Sequence, residues 1–215
     1  MLSVSVVATP QPGWTVEQLA EDYATCARWA AEAGADCVEA NFSCPNVASC
    51  DGDLYQRPSH AGLVAARLRT AVGRIPLLIK LGHVTERDAA GQLLSAVAPH
   101  VDALVMVNTV RARVVTKEGK PMFGGQQRGI AGEAIRDAAI AQARLFAGIV
   151  RKRDLTTRLV GVGGISTADH IREFLSAGCH AVQLATAAMI DPKVALRIRR
   201  EWPGDFRRSR TASGD

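Results

Sequence analysis

Three stretches of this chain, "EAGADCVEA", "APHVDALVMV" and "SAGCHAVQLA", each run from the end of a helical pattern straight into an apolar strand. Their spacing holds two strand–helix units per interval, about 33 to 39 residues each. A unit repeated in this way cannot bury its own hydrophobic face and must stack on its neighbours. The strands read as continuous apolar runs rather than alternating ones, the pattern of a parallel sheet covered on both faces. The repeat therefore restricts the fold to the α/β class, as a barrel or a doubly wound sheet.

Local signals place the elements. A strand "LSVSVVA" precedes Thr15, and Gln18 three residues later completes a capping-box spacing that opens a helix with Val16, Leu19, Ala20, Tyr23, Ala27 and Ala30 on its apolar face. Gly34 ends that helix, and the strand "CVEANFS" follows. A loop rich in Asp, Gly and Pro leads to a helix over about 59–72, closed by Gly73. "PLLIKLG" reads as a strand, 85–97 as a helix capped by Thr85, and "DALVMVN" as a strand. The segment 109–131, with "FGGQQRGIAG", exceeds ordinary connections and is expected to be a lid or site loop. A helix over about 133–152 leads into "RLVGVGGI", then come a helix over about 167–177, the strand "HAVQLAT" and a last helix opened by Asp191 and Pro192.

A chain of 215 residues, 47% apolar and 22% charged, is long enough for one domain with a core, assigned to 1–202. Only 5% of residues are aromatic, which suits tight helix-on-sheet packing. No apolar run approaches the roughly 20 residues that span a bilayer, and "MLSVSVVATP" lacks the basic flank and length of a signal peptide, so a cytoplasmic protein without a membrane partner is expected. The five cysteines are odd in number and show no CxxC spacing, which argues for reduced thiols and against a metal site. Much of the +5 net charge sits in the closing "ALRIRREWPGDFRRSRTASGD", and 203–215 reads as a solvated, flexible basic tail rather than a nucleic-acid arm.

In folds of this class the site lies at the carboxyl ends of the strands. Those ends carry Asn41 to Asn46 around Cys44, then Lys80, Asn108 with Thr109, Gly161 with Gly163 and Gly164, and Ala185 with Thr186. Glycines at the next-to-last strand and a small-plus-hydroxyl pair at the last suit a phosphate, because backbone N–H groups can reach it there. Lys80 sits in an apolar strand and needs a negative or polar partner. That partner is either charge developing on a cofactor or a carboxylate on the next strand, such as Glu39. Cys44 taken by itself is either a reactive thiol or a small buried hydrophobe.

The ordered set "NFSCPN", "IKLG", "VNT", "FGGQQRGIAG", "GVGGI" and "VQLATA" resembles the FMN-dependent dihydroorotate dehydrogenases of the soluble class and the pyrimidine domain of dihydropyrimidine dehydrogenases. The likeness runs from about Leu2 to Pro192. It implies a TIM (β/α)8-type barrel, FMN as cofactor, and a small dihydropyrimidine as substrate. Cys44 matches the base that takes a proton from C5 while hydride leaves C6 for the flavin. Asn41, Asn46, Asn108 and Thr109 match positions that hydrogen-bond the pyrimidine, whose alternating C=O and N–H edge an asparagine amide complements. Lys80 matches the lysine beside flavin N1 and O2. Gly132, Gly163, Gly164, Ala185 and Thr186 match the phosphate and ribityl contacts, with Val107 alongside.

Two departures accompany the likeness. Ala185 stands where the family usually has glycine, so a methyl group faces the phosphate loop. "LSVSVVA" matches the third barrel strand, so about six units, strands 3 to 8, are expected, and six cannot close an eight-stranded barrel. Dihydroorotate oxidation in pyrimidine biosynthesis is the leading expectation. Reduction of uracil or thymine, a tRNA dihydrouridine synthase-like activity and an inactive truncated fragment are the alternatives. A cysteine base favours a soluble electron acceptor such as fumarate, or a nicotinamide cofactor reached through an electron-transfer partner subunit, with a homo-oligomer as the other expected assembly.

Overall fold

Six short parallel strands form one sheet in the order β1-β2-β3-β4-β7-β8: β1 (Ser3–Val6), β2 (Cys37–Asn41), β3 (Leu77–Lys80), β4 (Ala103–Met106), β7 (Arg158–Val162) and β8 (Ala181–Gln183). The computed structural model describes residues 1–43 and 54–202. Between successive strands run α1 (Val16–Glu32), α2 (Pro58–Val72), α3 (Arg87–Val97), α4 (Arg136–Lys152) and α5 (Ala168–Ser176), with α6 (Thr186–Ile190) and α7 (Val194–Glu201) after β8. Each strand pairs with its neighbour in parallel register, Glu39 opposite Ser5 and Leu78, for example.

The sheet is curled, and one side-chain contact measures the curl. Glu39 on β2 accepts a hydrogen bond of 2.6 Å from Gln183 Nε2 on β8, four strands away in the sheet order. In a flat sheet that separation is about 19 Å, beyond the reach of two side chains. The strands therefore wrap around a shared interior, as the wall of an incomplete TIM-type barrel does.

Helix α1 starts as its capping box predicts: Thr15 Oγ1 accepts from Gln18 N–H and Gln18 Oε1 accepts from Thr15 N–H at 2.8 Å. Its buried face includes Leu19, Ala20, Tyr23 and Ala27. Tyr23 packs edge-on against Phe42 with centroids 5.6 Å apart and donates through its hydroxyl to the Asn41 carbonyl at 2.7 Å. The helix thus holds the exit of β2 as well as covering it. Gly161 shows how closely the opposite helix approaches, since a Cβ there would lie 2.2 Å from Phe174 Cδ1.

Three local expectations are corrected. The segment 109–131, expected as a lid or site loop without strands of its own, carries an antiparallel arm, β5 (Val110–Arg113) paired with β6 (Gln127–Ile130). Thr85 is not the cap of α3, because Glu86 occupies that position and makes no side-chain cap bond. The last helix opens at Val194 after Lys193; Asp191 instead accepts from Lys193 N–H at 2.9 Å in the preceding turn, and the short α6 takes up the end of the segment read as strand. Cys26, Cys37 and Cys179 are free thiols. Among the described residues no helix is long and apolar enough to cross a membrane.

Candidate active site

The strand exits are tied to one another by backbone bonds that continue past the strands themselves. Phe42 N–H donates to the Lys80 carbonyl at 3.0 Å, Leu81 N–H to Val105 at 2.8 Å, Asn108 N–H to Leu81 at 2.9 Å and Val107 N–H to Val162 at 2.9 Å. Helix α4 adds a side-chain staple: the buried Gln142 accepts from Val84 N–H at 2.7 Å and donates to the Gly82 carbonyl at 3.0 Å. The residues after β2, β3 and β4 consequently share one rigid rim.

A cavity of about 220 Å³ opens on that rim between β4, β7 and β8. Val107, Asn108, Gly132, Gly163, Gly164, Ala185 and Thr186 line it, seven of the residues singled out from the sequence. Three glycines, Gly132, Gly163 and Gly164, stand in its wall. Gly132 at φ +77° and Gly164 at φ +69° lie in the region that favours glycine. A Cβ on Gly132 would come within 3.1 Å of Thr186 Cγ2, and one on Gly164 within 2.6 Å of Arg136 Cβ and 3.1 Å of the Gly132 carbonyl oxygen. Arg197 also lines the cavity, bonded to Asp191. The Lys193 N–H and then the Arg197 guanidinium hold the Asp191 carboxyl below the usual carboxylate range.

On its β2 side the cavity meets a small amide cluster. Asn108 Nδ2 donates to the Ser43 carbonyl at 2.6 Å and to Asn41 Oδ1 at 3.4 Å, and Asn41 Oδ1 accepts from Ser43 N–H at 3.1 Å. Asn41 Nδ2 and Asn108 Oδ1 make no hydrogen bond among the described residues. The pair therefore presents one donor group and one acceptor for a ligand.

Lys80 lines neither this cavity nor its neighbour. Its Nζ lies 3.7 Å from Glu39 Oε1, with the side chains 23% and 7% exposed respectively. The neighbouring-strand carboxylate named as one possible partner is thus present. Gln183, which bonds Glu39, is itself a cavity residue, so the lysine is linked to the cavity wall through two side chains. Thr109 faces a second, smaller cavity with Ser43, His83 and Arg111. Burial holds the His83 imidazolium below the usual histidine range. Cys44 and Asn46 lie outside the described residues.

Gln183, Glu39 and Ser43 complete the site without having been singled out as ligand-facing. Glu39 and Gln183 carry the signal already applied to Lys80, a polar side chain within an apolar strand. Ser43 gave no such signal, because its contribution is a backbone carbonyl and N–H.

A family model described as "Dihydroorotate dehydrogenase" matches residues 7–204 of the chain. Among similar proteins, a dihydroorotate dehydrogenase of Dictyostelium discoideum is 32% identical over 183 residues, covering 82% of this chain and 50% of that protein. The catalytic subunit of a dihydroorotate dehydrogenase B (NAD(+)) of Solidesulfovibrio magneticus is 34% identical over 175 residues, covering 80% and 55% respectively. That of Maridesulfovibrio salexigens is 31% identical over 217 residues, covering 96% and 69%. The chain thus spans about half the length of the first two relatives.

Proposed function

The chain belongs to the dihydroorotate dehydrogenase family, and from that premise we propose that it serves an FMN-dependent oxidoreductase interconverting dihydroorotate and orotate. The observation that carries this reading is the position of Asn108, whose residue lines the glycine-walled cavity while its side chain joins the Asn41–Ser43 cluster. A cofactor site and a ring-binding site then share one strand exit.

The close approach of Gly132 to Thr186 and of Gly164 to Gly132 supports a place for the phosphate and ribityl end of FMN, where backbone N–H groups can reach a phosphate. Gly163, Ala185 and Val107 complete the wall, where Arg197 stands paired with Asp191. When bound, FMN supplies the acceptor for the hydride that leaves C6 of dihydroorotate. Asn41 Nδ2 and Asn108 Oδ1 orient the pyrimidine edge, with Asn46 and Thr109 as further ring contacts. Cys44, as thiolate, takes the proton from C5, and C5 and C6 become doubly bonded. A cysteine with an ordinary pKa of about 8.5 is a usable base near neutrality. Lys80 contributes positive charge beside the flavin ring, steadied by Glu39.

Several relatives bear the name of a catalytic subunit of an NAD(+)-type enzyme. By extension, electrons leave this chain through a partner subunit to a nicotinamide acceptor, in a soluble cytoplasmic assembly. Anaerobic mixing of the FMN-loaded protein with dihydroorotate tests the reading. Bleaching of the flavin with orotate formed, lost in Cys44→Ala while FMN is retained, is the expected result. Flavin that stays oxidised refutes it, and bleaching by dihydrouracil in preference to dihydroorotate moves the assignment to dihydropyrimidine dehydrogenase chemistry.

A further inference from the structure

Glu39 sits in the middle of β2, between Val38 and Ala40, and its side chain is only 7% exposed. A carboxylate so placed is costly unless both oxygens find partners. Each oxygen has its own. Oε1 lies 3.7 Å from Lys80 Nζ on β3, and Oε2 accepts from Gln183 Nε2 on β8 at 2.6 Å across the curled interior. The strand register accounts for the first contact: Glu39 stands opposite Leu78, so Lys80, two residues on, is its diagonal neighbour on the same face. Among the described residues neither charge has a second ionic partner.

The same carboxylate fixes the orientation of the Gln183 amide. An ionised carboxylate only accepts, so the amide turns its NH2 group to Glu39 and keeps Oε1 as its acceptor. Gln183 lines the first cavity, and no described residue donates to that oxygen. Ammonium, carboxylate and amide thus form one chain of contacts from β3 through β2 to β8, with the cavity at its amide end.

In the functional reading above, on which this inference rests, Lys80 stands beside the flavin ring. Reduction leaves negative charge on that ring, so a nearby cation favours the reduced form and a nearby anion disfavours it. A lysine with a carboxylate 3.7 Å away cannot act as a lone charge, because the field of the pair falls off faster than that of the ammonium by itself. We propose that Glu39 is a positioning residue that holds Lys80 and Gln183 together, and that its charge opposes the lysine's, keeping the bound flavin less easily reduced than Lys80 alone would make it. Such a balance suits a flavin that must pass its electrons on as well as take them up.

Spectroelectrochemical titration of the FMN-loaded protein tests this, comparing the wild type with Glu39→Gln, Lys80→Met and the double variant. One charge near the ring, at an effective dielectric of about 20, changes the ratio of reduced to oxidised flavin about tenfold, which for a two-electron couple is about 30 mV. The midpoint is expected to rise by that much in Glu39→Gln and to fall by as much in Lys80→Met. Loosened packing alone would not move the two in opposite directions. The double variant leaves neither group unbalanced and is expected to keep the ratio within about threefold of wild type; it supplies the reading where a single variant does not fold. A midpoint that stays or falls in Glu39→Gln overturns the proposal, and so does a tenfold fall in the double variant. An unchanged midpoint in Lys80→Met would overturn the placement of the lysine beside the flavin, and a wild-type protein that takes up no FMN would overturn the functional reading itself; this inference falls with either.

Discussion

Replacing Glu39 tests whether the curled interior depends on a charge pair. The Glu39 side chain is 7% exposed, 3.7 Å from Lys80 Nζ, and hydrogen-bonded to Gln183. At that distance and an effective dielectric of about 20, the Coulomb attraction is about 4 kcal/mol. Desolvation of both groups offsets part of it, while the 23% exposure of Lys80 lets water screen the ammonium. In Glu39→Gln the amide can still accept from Gln183 but no longer balances Lys80, for an expected loss of about 2 to 3 kcal/mol. Lys80→Met leaves a buried carboxylate with only a neutral partner and is expected to cost about 3 kcal/mol or more. Removing both charges together leaves neither group unbalanced, so the double variant should be less destabilised than the two losses added. Urea unfolding of the four proteins measures this, and the expected coupling is at least about 1.5 kcal/mol. Additivity within about 0.5 kcal/mol would refute the reasoning, because it would mean that the two side chains are independently solvated.

Other substitutions probe packing and backbone satisfaction. Gly161→Ala puts a methyl 2.2 Å from the ring of fully buried Phe174, far inside the roughly 3.5–4.0 Å carbon contact distance, and should cost about 3 kcal/mol or more, read as a lowered Tm; an unchanged Tm would show that the helix is free to retreat. Gln142→Ala strips partners from Val84 N–H and the Gly82 carbonyl and should destabilise by about 2 to 5 kcal/mol in urea, a loss below about 0.5 kcal/mol indicating that water replaces both bonds. Burial pushes the Cys179 thiol up to about 11, from the roughly 8.5 to 9 of an exposed cysteine. Between those values the unfolded chain binds fewer protons than the folded one, so stability should fall as pH rises from 9 to 11, by up to about 3 kcal/mol. Cys179→Ala should flatten that slope, and an identical slope in both proteins would count against it.

What the sequence revealed divides by the range of the interaction. The Thr15–Gln18 cap and the six apolar strands depend on neighbours a few residues away, and both are present as read. The β5–β6 arm escaped because its strands stabilise each other rather than covering the core: "VRAR" and "QRGI" are exposed at alternate or nearly all positions, so neither shows the apolar run that marked the other strands. Thr85 had the right residue type for a cap but stands one position too early, and its hydroxyl instead contacts the Glu86 carboxylate at 3.4 Å. The glycines of the cavity wall were legible as strand-exit glycines, whereas the closeness of Gly132 to Thr186 depends on a segment more than fifty residues away folding back. The Glu39–Gln183 bond was hidden for the same reason, since it exists only once the sheet has curled.

The two cavities meet at the exit of β4. Past the end of β4 the chain bends at Asn108, and successive residues reach different spaces. Asn108 accordingly belongs to the glycine-walled cavity and Thr109 to the smaller one. The proposed reaction removes hydride and proton from adjacent carbons of one ring, which requires acceptor, base and recognition groups around that ring at the same time. A single strand exit meets part of this requirement, and the backbone bonds from Asn108 to Leu81 and from Val107 to Val162 fix that exit between its neighbours. A shift of one residue in the β4 register would take Asn108 and Thr109 out of their present positions in the two walls together. The position is therefore constrained by its geometry as strongly as by the identity of either residue.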